Sequence, residues 1–420
     1  MSDLSNKKSS GFERFLSGIE RAGNKIPDIA LLFIFLALAT IVISWILSMF
    51  NVSVVHPGTG ATLYVVNLLS RDGLQRMWAN AVTNYSGFPP FGMVMVAVIG
   101  AGAAEKSGLF AAMMKKMLTG VRPLFVTVTI VAVGILGNVA GDAAIIVLPP
   151  IAGAIYLSMG RNPIVGIVTA ICSVLAGFSA NLMLGMTDAL AYGFTESAAR
   201  MIDPSYAASP AINYYFLVVS FFLLTLTGTL VSEKILMPRF AHIDVSKYGQ
   251  ADDVTMTPEQ NRGLRWAGIS FLVTAALIVY MSVGSNPLLG DENGSILAPA
   301  SPFMRGIIVT VTVLMLIPAY FYGTMSGQYK DKKTRTIFTD ISNAFKDVSR
   351  YIMMVFFVSQ FISYFNWSNL GAVIAIKGAD GLQALNVTGI PLLVGIVLVT
   401  CVINIFMGSA SAKWALLAPI

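Results

Sequence analysis

Gly134-Ile-Leu-Gly-Asn138-Val-Ala-Gly-Asp142 interrupts an apolar run, residues 123–157, that is barely long enough for two ordinary membrane crossings. A helix that crosses the hydrocarbon core takes about 20 residues. This run has to leave one side and return to it. Lys115, Lys116 and Arg122 stand before it, and Arg161 and a new apolar run stand after it. Basic residues mark the cytoplasmic side. Three glycines, an amide and a carboxylate within nine residues, followed by Pro149-Pro150, predict a re-entrant helical hairpin broken near its middle.

The composition around this stretch agrees with a chain that lives in lipid. Of 420 residues, 56% are hydrophobic and 11% charged, and mean hydropathy is +0.75. A soluble domain carries about a quarter of its residues as charges. A soluble enzyme, a nucleic-acid-binding module and a disordered chain are excluded, and a polytopic all-α membrane protein in the lipid bilayer remains. The net charge of +6 comes from Lys and Arg in loops beside the apolar runs, so no nucleic-acid partner is expected. Cys172 and Cys401 lie in apolar runs and read as reduced packing residues. No cleavable leader is evident: Lys7, Lys8, Arg14, Arg21 and Lys25 precede a first span long enough to stay in the bilayer.

Spans are predicted at 27–50, 87–104, 163–192, 211–231, 264–283, 304–322 and 351–365. The positive-inside rule puts the N-terminus in the cytoplasm, 51–86 outside, 232–262 inside, 284–301 outside and 330–350 inside. A second interrupted stretch begins near residue 391 and contains Asn404-Ile-Phe-Met-Gly408-Ser-Ala-Ser411-Ala-Lys-Trp414. Both stretches follow a short span and a more polar segment, and they start from opposite sides. That order predicts an inverted-repeat secondary transporter forming one transmembrane domain over 1–420. The first repeat is 86–190 with its hairpin near 123–157, the scaffold spans are 211–322, and the second repeat is 350–420. The second repeat has no counterpart of the first repeat's last span and halts in mid-hairpin. The expectation is a truncated second repeat, and a chain that is a fragment of a longer protein.

Two acids stand in these apolar runs. Asp142 is the only formal charge between residues 123 and 160, and Asp188 the only one between 163 and 190. A carboxylate near the bilayer centre costs on the order of 3 kcal/mol, so each needs a function or a structural partner. As functional groups they bind a proton or cation; as structural ones Asp142 satisfies the broken hairpin and Asp188 sits near the outer interface. Asn181 and Asp188 are seven apart, and Asn138 and Asp142 four apart, so each pair is expected on one helical face. Asn138, Asp142 and Asp188 are the candidates for the coupling ion. In the second stretch Asn404, Met407, Ser411 and Trp414 follow helical spacing, and the glycine and small residues after Met407 predict a half-helix start that attracts a carboxylate. Trp414 would stack on an aromatic ring, and Lys413 offsets a substrate charge or snorkels. The plainer alternatives are interhelical amide bonding for the asparagines and close packing for the small residues and Trp414.

Several chemistries lack their signatures. No Gly-Lys dipeptide occurs, so no Walker A loop is present. Gly100-Ala-Gly102 begins a dinucleotide fingerprint that fails at its last position, and His56 and His242 are isolated in loops, so no metal site is expected. An intramembrane aspartyl protease using Asp142 and Asp188 is the remote rival; Ala140-Gly141-Asp142 lacks the Gly-x-Gly-Asp pattern of such enzymes. An ion channel lacks a filter segment.

Arg21-Ala-Gly-Asn-Lys-Ile-Pro27, Ser86-Gly-Phe-Pro, Gly102-Ala-Ala-Glu-Lys-Ser-Gly108, Gly160-Arg-Asn-Pro163, Ser179-Ala-Asn-Leu182, Phe365-Asn-Trp-Ser-Asn369 and Gly408-Ser-Ala-Ser-Ala-Lys-Trp414 together resemble the aminobenzoyl-glutamate transporter family over essentially the whole chain. The resemblance implies a dimeric inner-membrane protein with about nine spans and two hairpins around a central site. It implies import of p-aminobenzoyl-glutamate, or proton-driven export of sulfonamide antimetabolites. The family's aspartate falls on Asp188, and its asparagine, serine and tryptophan in the second hairpin on Asn404, Ser411 and Trp414. The family's further arginine- and aspartate-bearing span lies beyond this sequence.

The expectation is therefore a secondary active transporter, not an enzyme, with no cofactor. The proposed substrate contacts are Asn181, Asp188, Asn404, Ser411 and Trp414. The substrate is a small aromatic amide with carboxylates, the coupling ion a proton or Na⁺, and the assembly a homodimer in the inner membrane.

Overall fold

Backbone groups in lipid have no water to bond, so an apolar chain closes its hydrogen bonds within helices. The computed structural model describes residues 29–55, 61–140, 142–200, 202–240, 256–284, 286–298, 301–331, 334–384, 389–406, 414 and 417–418. The chain forms two units, one of residues 1–91, 193–206 and 350–420, the other of 92–192 and 207–349. Among the described residues five helical stretches are long and apolar enough to cross a membrane: Ala30–Met49, Arg71–Lys106, Tyr214–Phe240, Pro258–Ser282 and Ile307–Met325.

The first unit begins with α1 (Ile29–Met49) and a two-stranded antiparallel ribbon, β1 (Ser53–Val55) on β2 (Thr62–Tyr64), in which Val54 faces Leu63. Then comes α2 (Arg71–Ser86), whose start is capped by Ser70 Oγ accepting from the Gly73 N–H at 3.1 Å. The next helix, α3 (Pro89–Lys106), begins here and continues in the second unit.

The second unit follows with α4 (Leu109–Leu118), α5 (Val126–Gly137), a 3₁₀ turn at Asn138–Ala140, α6 (Asp142–Ser158) and α7 (Pro163–Ala176). After a non-helical passage comes α8 (Met186–Ala199), which ends in the first unit. Next are α9 (Tyr214–Val231), a π-turn at Ser232–Leu236 and the short α10 (Met237–Phe240). Helices α11 (Pro258–Ser282), α12 (Pro302–Arg305), α13 (Ile307–Met325) and α14 (Ile337–Asp347) complete this unit. The first unit resumes with α15 (Ser349–Trp367), α16 (Leu370–Ala384) and α17 (Ile390–Phe406).

In the first unit α2 and α15 are joined by polar contacts. Asn84 Nδ2 donates to Gln360 Oε1 at 2.8 Å, and Gln360 Nε2 donates to the Ala81 carbonyl at 2.9 Å. The Arg76 guanidinium lies 4.3 Å from the centre of the Trp367 ring. Asn369 takes a left-handed backbone (φ 60°) and its Nδ2 donates to the Tyr64 carbonyl. The segment Phe365-Asn-Trp-Ser-Asn369 thus ends α15 and ties it to the ribbon and to α2.

In the second unit α5, α6 and α7 pack as a layer around Ile130, Val133, Leu148, Tyr156 and Val174, all essentially buried. Gly166 lets α6 and α7 approach closely, since a Cβ there would come 2.7 Å from the Ala152 carbonyl oxygen. The start of α7 follows from Gly160-Arg-Asn-Pro163. Gly160 takes φ 68°, Asn162 Oδ1 accepts the Ile164 N–H at 2.9 Å, and Pro163 fills the first helical position. Arg161 Nη1 donates to Glu233 Oε1 at 2.8 Å, and Thr127 bonds both Glu233 and the Tyr156 hydroxyl. The π-turn widens the end of α9 by one residue per turn at the point where Glu233 meets this network.

Two sequence expectations need correction: the single span 163–192 and the packing role of Cys172 and Cys401. The predicted span 163–192 is not one helix; it breaks after Ala176 and resumes at Met186. Pro149 and Pro150 lie inside α6, and the turn falls at Asn138–Ala140, within the glycine-rich stretch read as the break. Residues 71–86, in the segment expected outside, form α2, which Ser70 caps and which meets α15 through Arg76, Asn84 and Tyr85. Cys172 and Cys401 are exposed, so they sit on outward faces and not in packed interiors.

Candidate functional site

Two helix breaks lie side by side in the second unit. The first is the 3₁₀ turn after α5, and the second is the passage between α7 and α8. Each leaves carbonyls in its last turn without a helical donor, and each break carries an asparagine that reaches the other helix. Asn138 Nδ2 donates to the Val174 carbonyl near the end of α7 at 3.1 Å. Asn181 Nδ2 donates to the Ile135 carbonyl near the end of α5 at 3.2 Å. The two amides form a reciprocal clamp. Gly177 permits the crossing: a Cβ there would stand 2.8 Å from Ile135 Cα and 3.0 Å from Asn138 Cβ.

Asn181 also explains why α7 does not continue. Its Oδ1 accepts the N–H groups of Leu182 and Met183, at 2.9 and 3.2 Å, so the side chain replaces helical bonds with local ones. The chain restarts at Met186, and Asp188 Oδ2 accepts the Gly185 N–H at 2.7 Å. A carboxylate three residues inside a helix that bonds the residue preceding it is one arm of a capping box, and it sits at the positive end of the helix dipole.

These breaks wall a cavity of about 700 Å³. Asn138, Asn181 and Asp188 line it together with Phe178, Thr187 and the Val98, Gly102 and Glu105 face of α3. The cavity runs along α3 from Val98 to Lys106. At 1.5 Å per residue that is roughly 12 Å. Its far end holds Glu105, Lys106 and Asp347. Lys106 Nζ lies 3.1 Å from Glu105 Oε1 and 2.5 Å from Asp347 Oδ2. Behind them Arg335 donates to the Lys106 carbonyl and to both oxygens of Asp340, and the Tyr329 hydroxyl donates to Asp340 Oδ2 at 2.9 Å. Burial, then the Asp340 charge, push the Tyr329 phenol far up, so it stays a donor at any physiological pH.

The predicted residues thus separate. Asn138, Asn181 and Asp188 share one cavity. The expected one-face helical pairings fail, because α7 has ended before Asn181 and a 3₁₀ turn stands between Asn138 and Asp142. Asp142 is the first residue of α6, and Asn404 lies in α17; the side chains of both, with Ser411 and Lys413, fall outside the described residues. Trp414 belongs to the first unit and is half-exposed, and its Nε1 donates to Thr195 Oγ1 at 2.9 Å. No group of three or more metal-binding side chains occurs among the described residues. Sequence reasoning missed Lys106 and Asp347 as cavity residues. The segment Gly102-Ala-Ala-Glu-Lys-Ser-Gly108 contains Lys106, but its partner Asp347 is remote in sequence.

A multi-pass helical membrane protein with a cavity at paired helix breaks has the build of a transporter. Comparison with known proteins agrees. Residues 14–420 match the family described as "AbgT putative transporter family", and the chain belongs to it. The p-aminobenzoyl-glutamate transport protein of Escherichia coli (strain K12) is 35% identical over 428 residues, covering 100% of this chain and 81% of that protein. The solved YdaH transporter of Alcanivorax borkumensis, described as having an unusual topology, superposes with a TM-score of 0.87 at 35% identity, over 94% of this chain and 82% of that one. Neisseria gonorrhoeae MtrF, described as illuminating a class of antimetabolite efflux pumps, superposes with a TM-score of 0.89 at 34% identity, over 97% and 82%. This chain is a multi-pass membrane transporter of that family.

Proposed function

We propose that this transporter is a secondary one and carries small aromatic amides with carboxylates, p-aminobenzoyl-glutamate among them, driven by a proton or Na⁺ gradient across the inner membrane. The observation that carries the reading is the cavity at the paired breaks, with Asp188 on its wall. An acid placed there in an apolar chain is a natural carrier of a proton or a small cation. Asn138 and Asn181 hold the two breaks open, and Asp188 is the coupling group. The inverted repeat, the re-entrant character of α5–α6 and of the stretch containing Asn404, Ser411 and Trp414, the cytoplasmic N-terminus and the homodimer belong to the same proposal. The order of broken segments and the likeness to the E. coli transport protein support it. The likeness to MtrF favours a second reading, export of sulfonamide antimetabolites, by the same cavity with the gradient used in the other direction.

Proteoliposomes decide between these. Loaded with the purified protein, they should accumulate labelled p-aminobenzoyl-glutamate when a proton or Na⁺ gradient is imposed. Asp188→Asn should reduce that accumulation to background while the protein still purifies as a folded species. Gradient-driven uptake at the wild-type rate in Asp188→Asn would remove the coupling role. Transport of a sulfonamide but not of p-aminobenzoyl-glutamate would select the export reading.

A further inference from the structure

We infer that Lys106 is the charge-selecting residue of the cavity: its ammonium receives a carboxylate of the substrate, and Asp347 competes for the same ammonium when the cavity is empty. This rests on the proposed transport of aromatic carboxylates and names the residue that recognises them. Among the described lining residues Lys106 is the only cation, and three carboxylates, Glu105, Asp188 and Asp347, face the same space. An anion entering such a cavity meets a repulsive field unless it takes the ammonium from one of its present partners.

The geometry favours Asp347 as the partner that yields. Glu105 is the neighbour of Lys106 on α3, and its carboxylate is 23% exposed. Asp347 ends α14, and its side chain is 60% exposed. Released from Lys106, it turns into water at little cost, since ion pairs between exposed groups are weak. Lys106 is held in place from behind, since Arg335 bonds its backbone carbonyl and is itself fixed by Asp340 and Gln328. The long Lys106 side chain therefore pivots from a fixed root at one end of the cavity, and the aromatic body of the substrate is left to lie along Val98, Ala101 and Phe178.

The test uses two variants whose effects have opposite sign. The protein in lipid nanodiscs is titrated with p-aminobenzoyl-glutamate and with its neutral diamide. Lys106→Gln should weaken the acid by roughly tenfold or more, the range of a hydrogen bond between charged groups. Asp347→Asn should tighten the acid, by about threefold or more, because the internal competitor is gone. The diamide should bind both variants as it binds the wild type. Weakening of the acid by both variants, equal losses for acid and diamide, or no change in either variant would overturn the inference. Binding of the diamide alone by the wild type would also overturn it while leaving an aromatic-amide transporter. Failure of the wild type to bind either compound, or a sulfonamide, would take down the transport reading first, and the inference with it.

Discussion

Two ion pairs in the second unit look alike on paper and are built differently. Arg161–Glu233 spans 2.8 Å and Lys106–Asp347 spans 2.5 Å. Around Arg161 and Glu233 the structure closes in: the buried Thr127 hydroxyl donates to the Glu233 carboxylate and also bonds the buried Tyr156 hydroxyl, and Glu233 stands on a π-turn. Around Lys106 and Asp347 it stays open, with the carboxylate mostly in water and a cavity on the other side. The distance between two charges says little about their job. The number of further groups that depend on each charge says more.

Breaking the comparison at its strongest point means Glu233→Ala. That change strands Arg161, Thr127 and Tyr156, and it should cost about 2–4 kcal/mol of stability, read as a lower midpoint in denaturant unfolding in detergent. A midpoint within error of the wild type would mean that the network holds nothing. Thr127→Val removes one member and keeps its volume, so a loss of about 1 kcal/mol is expected in the same assay. Lys106→Gln sits at the other extreme and should move the midpoint by no more than about 0.5 kcal/mol, with its whole effect in ligand selectivity. A large stability loss in Lys106→Gln would erase the contrast.

The hydropathy pattern made the helical membrane class legible, and glycines, Asn138 and the short length of 123–157 marked the first break. The second break was only half legible. Asn181 stood out as a polar residue in an apolar run, yet no proline marks 163–192 between its first residue and Met186. The helix ends because one amide satisfies Leu182, Met183 and Ile135 at once, and such local bonding competes with helix only when a neighbour such as Ile135 is in place. Lys106 was hidden by its company: Glu105-Lys106 reads as an ordinary charged helix end, and Asp347 closes the far end of a helix 240 residues later. The stretch Phe365-Asn-Trp-Ser-Asn369 carried family likeness but no readable role, since Arg76 and Tyr64, which its residues engage, lie far upstream.

The reciprocal asparagine clamp has a mechanical consequence. Sliding α5 past α7 by one helical turn, about 5.4 Å, would tear both amide–carbonyl bonds in a single step. Tilting the pair together tears neither. The two helices are thus coupled like the blades of riveted shears: shear displacement between them has to break both bonds together, whereas a common tilt keeps them.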